Sequence, residues 1–123
     1  MDTQGFLKAH RLSSKKDIEQ LIAQGNSVNE FPLRFLWSSS SHNSFDIQIA
    51  VSIPKKRFAH AVDRNLLKRR IRESFRKQYK RIDSSALVRI HLLIVYVDSI
   101  QHNFSTIDDR MHKALQKIIQ KIQ

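Results

Sequence analysis

The chain has no cysteine, two glycines, two prolines and a single tryptophan among its 123 residues. Without cysteine there is no disulfide framework, no thiolate metal site and no thiol nucleophile. Gly5 and Gly25 lie far apart, so no glycine-rich loop is available to cradle a phosphate. The longest apolar run, Leu92 to Val97, falls well short of the roughly 20 residues that span a bilayer. The N terminus, MDTQGFLKAHRL, lacks the apolar core of a signal peptide. Six histidines, at 10, 42, 60, 91, 102 and 112, include no pair at ligand spacing, and no serine stands in a recognisable arrangement with a base. These absences predict a soluble, cytoplasmic, single domain over 1–123, with 1–10 as a flexible tail, no membrane partner and no catalytic or metal centre of its own.

Acidic residues are also scarce, 11 against 22 basic, and the imbalance is local. Lys55 to Arg81 holds 12 basic residues against Asp63 and Glu73, a charge of +10. The remainder, with 10 basic and 9 acidic residues, comes to +1. Like charges at this density repel, so the arrangement favours a polyanionic partner, of which nucleic acid is the commonest. Mixed-sign runs usually mark only a solvated helix face, but here the sign is not mixed. A membrane-surface helix, a calmodulin target or a nuclear address remain as minor readings.

Periodicity supplies the elements. Ser14 with Asp17 forms a capping box, and Ile18, Leu21 and Ile22 predict a helix over Lys15–Gln24 that stops at Gly25. Alternation of Phe31, Leu33, Phe35 and Trp37 predicts a strand, and Ser38 to Ser44 a turn. Phe45, Ile47, Ile49 and Val51 then predict its hairpin partner, closed by Pro54. A loop leads into a helix over Ala61–Tyr79, whose Leu67, Ile71, Phe75 and Tyr79 form an apolar stripe beside a cationic one of Arg64, Lys68, Arg72 and Arg76. Leu87 to Val97 reads as a central strand covered on both faces. A second capping box, Ser105 with Asp108, opens a last helix buried along Ile107, Met111, Leu115, Ile118 and Ile122. The result is an α/β sandwich in which a strand, helix and parallel strand would cross over right-handed by the general rule.

The stretch VSIPKKRFAHAVDRNLLKRRIRESFR, Val51 to Arg76, resembles the signature of the bacterial ribonuclease P protein subunit. There a strand ending shortly before two lysines precedes a helix carrying R-N-x-x-K-R-x-x-R-E. HRLSSKKDIEQLIAQGNSV, His10 to Val28, is similar to that family's opening: an Arg-Leu pair, a short helix, a glycine and a strand. The resemblance implies the order α-β-β-β-α-β-α around a central sheet, in the ribosomal protein S5 domain 2-like class, with a left-handed βαβ crossover against the general rule. It implies a monomeric accessory subunit, one per catalytic RNA, that helps the RNA remove the 5′ leader of precursor tRNA. Magnesium would serve the ribonucleoprotein, and no cofactor would be bound by the protein itself.

Carried over, the motif assigns contacts with the catalytic RNA to Arg64, Asn65, Lys68, Arg69 and Arg72, extended by Arg70 and Arg76, with Lys55, Lys56 and Arg57 reaching RNA backbone. Glu73 would pair with Arg69, Arg76 or Lys77. Leu66 stands where the family has a second arginine, and Ile18 and Ile22 stand where its first helix carries two aromatics facing the leader. Isoleucine has no flat π-face, whereas stacking on an aromatic contributes about 1–3 kcal/mol per base. Phe35 or Trp37 would then supply the platform, with Arg34 or Arg11 nearby, unless that aromatic stripe is core. The alternatives are a ribosomal-type structural RNA-binding protein and, more weakly, a DNA-binding module with the basic helix in a major groove.

Overall fold

The computed structural model describes residues 11–39, 47–81 and 89–122. The expected tail at 1–10, most of the serine-rich turn and the start of the central strand lie outside the described residues. Seven elements follow one another: α1 (Lys15–Gln24), β1 (Asn26–Glu30), β2 (Leu33–Ser39), β3 (Ile47–Ser52), α2 (Ala61–Arg81), β4 (Ile90–Tyr96) and α3 (Phe104–Ile122). This is the α-β-β-β-α-β-α order, arranged as an α/β sandwich. The Ser14 hydroxyl accepts the Asp17 N–H at 3.3 Å and opens α1. The helix stops at Gly25, whose N–H donates to the Leu21 carbonyl. A Cβ at position 25 would sit 2.5 Å from that oxygen, so the close approach requires glycine.

The strands are ordered β1-β2-β4-β3. β1 and β2 are antiparallel, as are β2 and β4, while β3 and β4 are parallel and enclose α2 as their crossover. The predicted hairpin between β2 and β3 is therefore not formed. β4 lies between them, and the hairpin is β1 with β2, turning at Phe31-Pro32. The physical reason is apolarity. Six of the seven β4 residues are buried, and such a strand is most stable with neighbours on both edges and cover on both faces. β1 escaped the periodicity reading because only Val28 of its five residues is buried.

Strand alternation divides the sheet into two faces. On one face Leu33, Phe35, Trp37, Ile47, Ile49, Ile90, Leu92, Ile94 and Tyr96 meet Leu67, Ile71 and Phe75 of α2 and Ile107, Met111, Leu115 and Ile118 of α3. On the other face a smaller cluster joins Leu12 and Leu21 to Leu36 and Leu93, with Ile18, Ala50 and Val95 packed around it. That second face is only partly covered by α1. The α3 cap also differs from expectation. Asn103, not Ser105, caps the helix, its side-chain oxygen accepting the Thr106 N–H at 2.9 Å.

Candidate nucleic-acid interface

After β3 the chain turns at Pro54, whose carbonyl accepts the N–H groups of Arg57 (3.1 Å) and Phe58 (3.3 Å). Phe58 anchors the loop by resting edge-on against Tyr96, with ring centroids 5.7 Å apart. Lys55 and Lys56 are left exposed, and Arg57 partly so, immediately before α2. The helix then buries Leu67, Ile71 and Phe75 completely, and Tyr79 stacks on Phe75 at 5.6 Å. Burial of each such side chain stabilises the fold by about 1.5–3 kcal/mol, enough to hold a strongly charged helix in place.

The cations of α2 are not equivalent. Arg64 turns back and donates from Nη1 to the carbonyls of Phe58 (2.8 Å) and Ala59 (2.9 Å), tying down the loop before the helix. Arg70 donates from Nη1 to the His102 carbonyl at 2.9 Å, binding the helix to the β4–α3 loop. Arg76 grips Glu73 from Nε and Nη2, at 3.1 and 2.7 Å. Lys77 faces Asp108 at 3.5 Å. Asn65, Lys68, Arg69 and Arg72 make no such contact among the described residues. At 100° per residue these four occupy an arc of about 100°. They form a free polar stripe next to the exposed loop lysines.

A network that the sequence reading missed locks α2 to α3. The Ser74 hydroxyl donates to Asp108 Oδ1 at 2.7 Å, and Gln78 Nε2 donates to the same oxygen at 3.1 Å. Ser74 and Gln78 are buried, so Asp108 satisfies donors that would otherwise be lost in the core. Burial works to raise the Asp108 pKa, but the hydrogen bonds from Ser74 and Gln78 and the Lys77 ammonium outweigh it and hold the carboxyl below the usual carboxylate range. Asp108 thus reaches across to another helix instead of capping its own. Its signal was the pair of polar residues interrupting the apolar side of α2. The β4–α3 loop is held as firmly: Tyr96 donates its hydroxyl to the Ile100 carbonyl at 2.6 Å and accepts the His102 N–H at 3.0 Å. His102 lies 2.7 Å from Asp98 and, chiefly through that hydrogen bond, lowers its pKa.

On the α1 face, Arg34 and Ile22 are exposed and Ile18 is half-buried. By register, Arg34 shares a cross-strand row with Val95 and Ser52, next to the row of Leu36, Leu93 and Ala50 that carries α1. Arg11 enters this region through an isolated bridge to Ile49. Arg11, Ile18, Ile22 and Arg34 are therefore residues of the α1 side of the sheet. Phe35 and Trp37 are not, and the expectation that one of them forms a stacking platform is corrected. Phe35 is fully buried and Trp37 is 6% exposed, both in the core opposite α1. Strand alternation makes the reason plain, since Phe35 and Trp37 are out of phase with Arg34 and Leu36. The aromatic that is exposed among the described residues is Phe31, at 59%, in the β1–β2 turn.

Among the described residues no group of three His, Asp or Glu could hold a metal ion, and no helix is long and apolar enough to cross a membrane.

Comparison with known proteins gives this geometry a family. Residues 6–119 match the family model described as Ribonuclease P. The chain is 31% identical over 120 residues to the ribonuclease P protein component of Porphyromonas gingivalis, covering 94% of this chain and 88% of that one. It is 36% identical over 85 residues to that of Nitrosococcus oceani, covering 68% and 69%. The fold is similar to the ribonuclease P protein of Staphylococcus aureus, with a TM-score of 0.73 over 88% of this chain and 94% of that one at 19% identity. It is also similar to that of Thermotoga maritima, with a TM-score of 0.68 over 92% and 97% at 19% identity. With a matching model over nearly its whole length, a relative above 30% identity across 94% of its residues and the same fold, the chain belongs to the ribonuclease P protein family.

Proposed function

We propose that this protein binds the catalytic RNA of ribonuclease P through the free stripe of α2, Asn65, Lys68, Arg69 and Arg72, together with Lys55, Lys56 and Arg57. On this reading it also receives the 5′ leader of precursor tRNA on the α1 side of the sheet, through Arg11, Ile18, Ile22 and Arg34. The RNA performs the endonucleolytic hydrolysis with magnesium ions, and the protein acts as its accessory subunit. The observation that carries the reading is the segregation of cations on one helix. Arg64, Arg70, Arg76 and Lys77 each meet an oxygen acceptor, whereas Lys68, Arg69 and Arg72 share one arc and meet none among the described residues. Free guanidinium groups suit phosphate because a planar fork can donate two hydrogen bonds at once. Asn65 offers both donor and acceptor, which suits a base edge or a 2′-hydroxyl. Arg64, Arg70 and Arg76 support the interface by holding loops and a carboxylate, with their remaining N–H groups available to RNA.

The test is cleavage of precursor tRNA by a bacterial ribonuclease P RNA at limiting magnesium. The expected outcome is cleavage when RNA and protein are combined, and none with the protein alone. RNA binding without rescue of cleavage would favour a structural RNA-binding role instead.

A further inference from the structure

Between Lys55 and Arg81 only two acidic residues interrupt the cations. Asp63 stands at the start of α2, where its Oδ1 accepts Gln101 Nε2 at 3.0 Å. Glu73 stands in the middle of the helix, four residues after Arg69, one after Arg72 and three before Arg76. At 100° per residue its side chain leaves the axis about 40° from Arg69 and about 60° from Arg76, at the edge of the cationic arc. Glu73 Oε1 accepts both the Nε and the Nη2 groups of Arg76, at 3.1 and 2.7 Å. Its other oxygen, Oε2, has no hydrogen-bond or ion-pair partner among the described residues, and the side chain is 46% exposed. Arg76 thus fixes one carboxylate oxygen and leaves the second at the surface as an acceptor among donors. A phosphate oxygen also only accepts, so a bare run of phosphates is repelled at this one point of a helix that otherwise attracts it. A ribose 2′-hydroxyl can donate, and RNA carries one beside its phosphates while DNA carries none.

We propose that Glu73 is the residue by which α2 distinguishes RNA from DNA: Oε2 accepts a ribose 2′-hydroxyl of the catalytic RNA while Lys68, Arg69 and Arg72 hold the neighbouring phosphates. The proposal rests on the RNA-binding reading above and deepens it, from affinity for a polyanion to choice among polyanions. The cations alone attract any nucleic acid of the same charge density, because neutralising phosphates carries no information about the sugar. A carboxylate placed among them weakens binding of a partner that brings only acceptors and restores it for one that brings a donor, since a hydrogen bond to an ionised acceptor is among the strong ones. An intrahelical pair that only relieved repulsion would satisfy Arg76 equally well and would be blind to the sugar.

Catalytic RNA carrying sparse, random 2′-deoxy nucleotides is partitioned by wild-type protein, Glu73→Gln and Glu73→Ala. The substitutions excluded from the bound fraction are mapped and then remade singly. Alanine and glutamine are both good helix formers, so the fold is kept in each variant. At one nucleotide the 2′-deoxy substitution should weaken wild-type binding roughly tenfold, the lower end for a hydrogen bond to a charged group. It should have no effect with Glu73→Ala and a reduced one with Glu73→Gln, whose neutral amide oxygen still accepts. A DNA duplex is the second probe. Its affinity should rise roughly five- to eightfold at 0.1 M salt with Glu73→Ala, where Arg76 is released to one more phosphate, while affinity for the catalytic RNA should not rise. If no 2′-deoxy position loses its effect with Glu73→Ala, or if RNA and DNA affinities rise by the same factor, the discrimination is overturned even though the protein still stimulates cleavage. Failure to bind the catalytic RNA or to stimulate cleavage at all would instead remove the functional reading on which the proposal rests.

Discussion

Seven of the nine cations of α2, those from Arg64 to Lys77, fall into two regions with different surroundings. On the side facing α3 and the loops, Arg64, Arg70 and Lys77 meet backbone carbonyls or Asp108. On the remaining arc Arg76 meets Glu73, one turn of the helix away, while Lys68, Arg69 and Arg72 meet no acceptor among the described residues. Residue type and local charge are alike in the two regions. What separates them is whether the fold brings an oxygen within reach, so the same side chain stabilises the protein in one region and leaves charge available to a partner in the other.

The comparison breaks most readily at the free arc. Replacing Lys68, Arg69 and Arg72 together by Gln should weaken RNA binding roughly a hundredfold or more at 0.1 M salt and flatten the dependence of log affinity on log salt by about 2–3. The unfolding midpoint should hold steady or rise, because repulsion is relieved. A slope measured by filter binding that does not change would remove these residues from the interface. Asp108→Ala should do the reverse. It leaves Ser74 and Gln78 as buried, unpaired donors, at about 1–3 kcal/mol each, and urea titration should show the loss while the salt slope stays as in wild type.

Acid provides a gentler version of the same test. The Asp108 carboxyl titrates below its unfolded value, so its contribution is complete above the usual carboxylate range and disappears as pH falls through the lowered pKa. Stability measured across that range should decline more steeply in wild type than in Asp108→Asn. Arg70→Ala ranks next, with about 1–3 kcal/mol of stability lost with the bond to the His102 carbonyl and an unchanged salt slope. A slope smaller by about 0.7–0.9 would instead place Arg70 on RNA. Glu73→Gln sits at the rim and should cost no more than about 1 kcal/mol, while freeing Arg76 to steepen the salt slope slightly.

Much of the fold was legible in the residues because local rules agreed with the tertiary outcome. Ser14 and Gly25 bracket α1 at the predicted ends, and Leu67, Ile71 and Phe75 face the core as their four-residue step requires. The strand neighbours were not legible. β2 and β3 have hairpin-like alternation, but pairing across β4 buries more apolar surface than pairing with each other, and no local pattern encodes that choice. The aromatic assignment failed for a related reason. Alternation identified Phe35 and Trp37 as sharing a face, and only the positions of α1 and α2 decided that the face is the core.

The sequence by itself determined the segregation of charge into Lys55–Arg81, the three helices and the amphipathic register of the basic one, because these depend on spacing along the chain. The tertiary structure decided which cations remain free and which are tied, and it brought Arg11 beside Arg72 from positions 61 residues apart. A charge has a sign in the sequence, but whether it meets a carbonyl, a carboxylate or another guanidinium depends on long-range packing that burial of the core imposes.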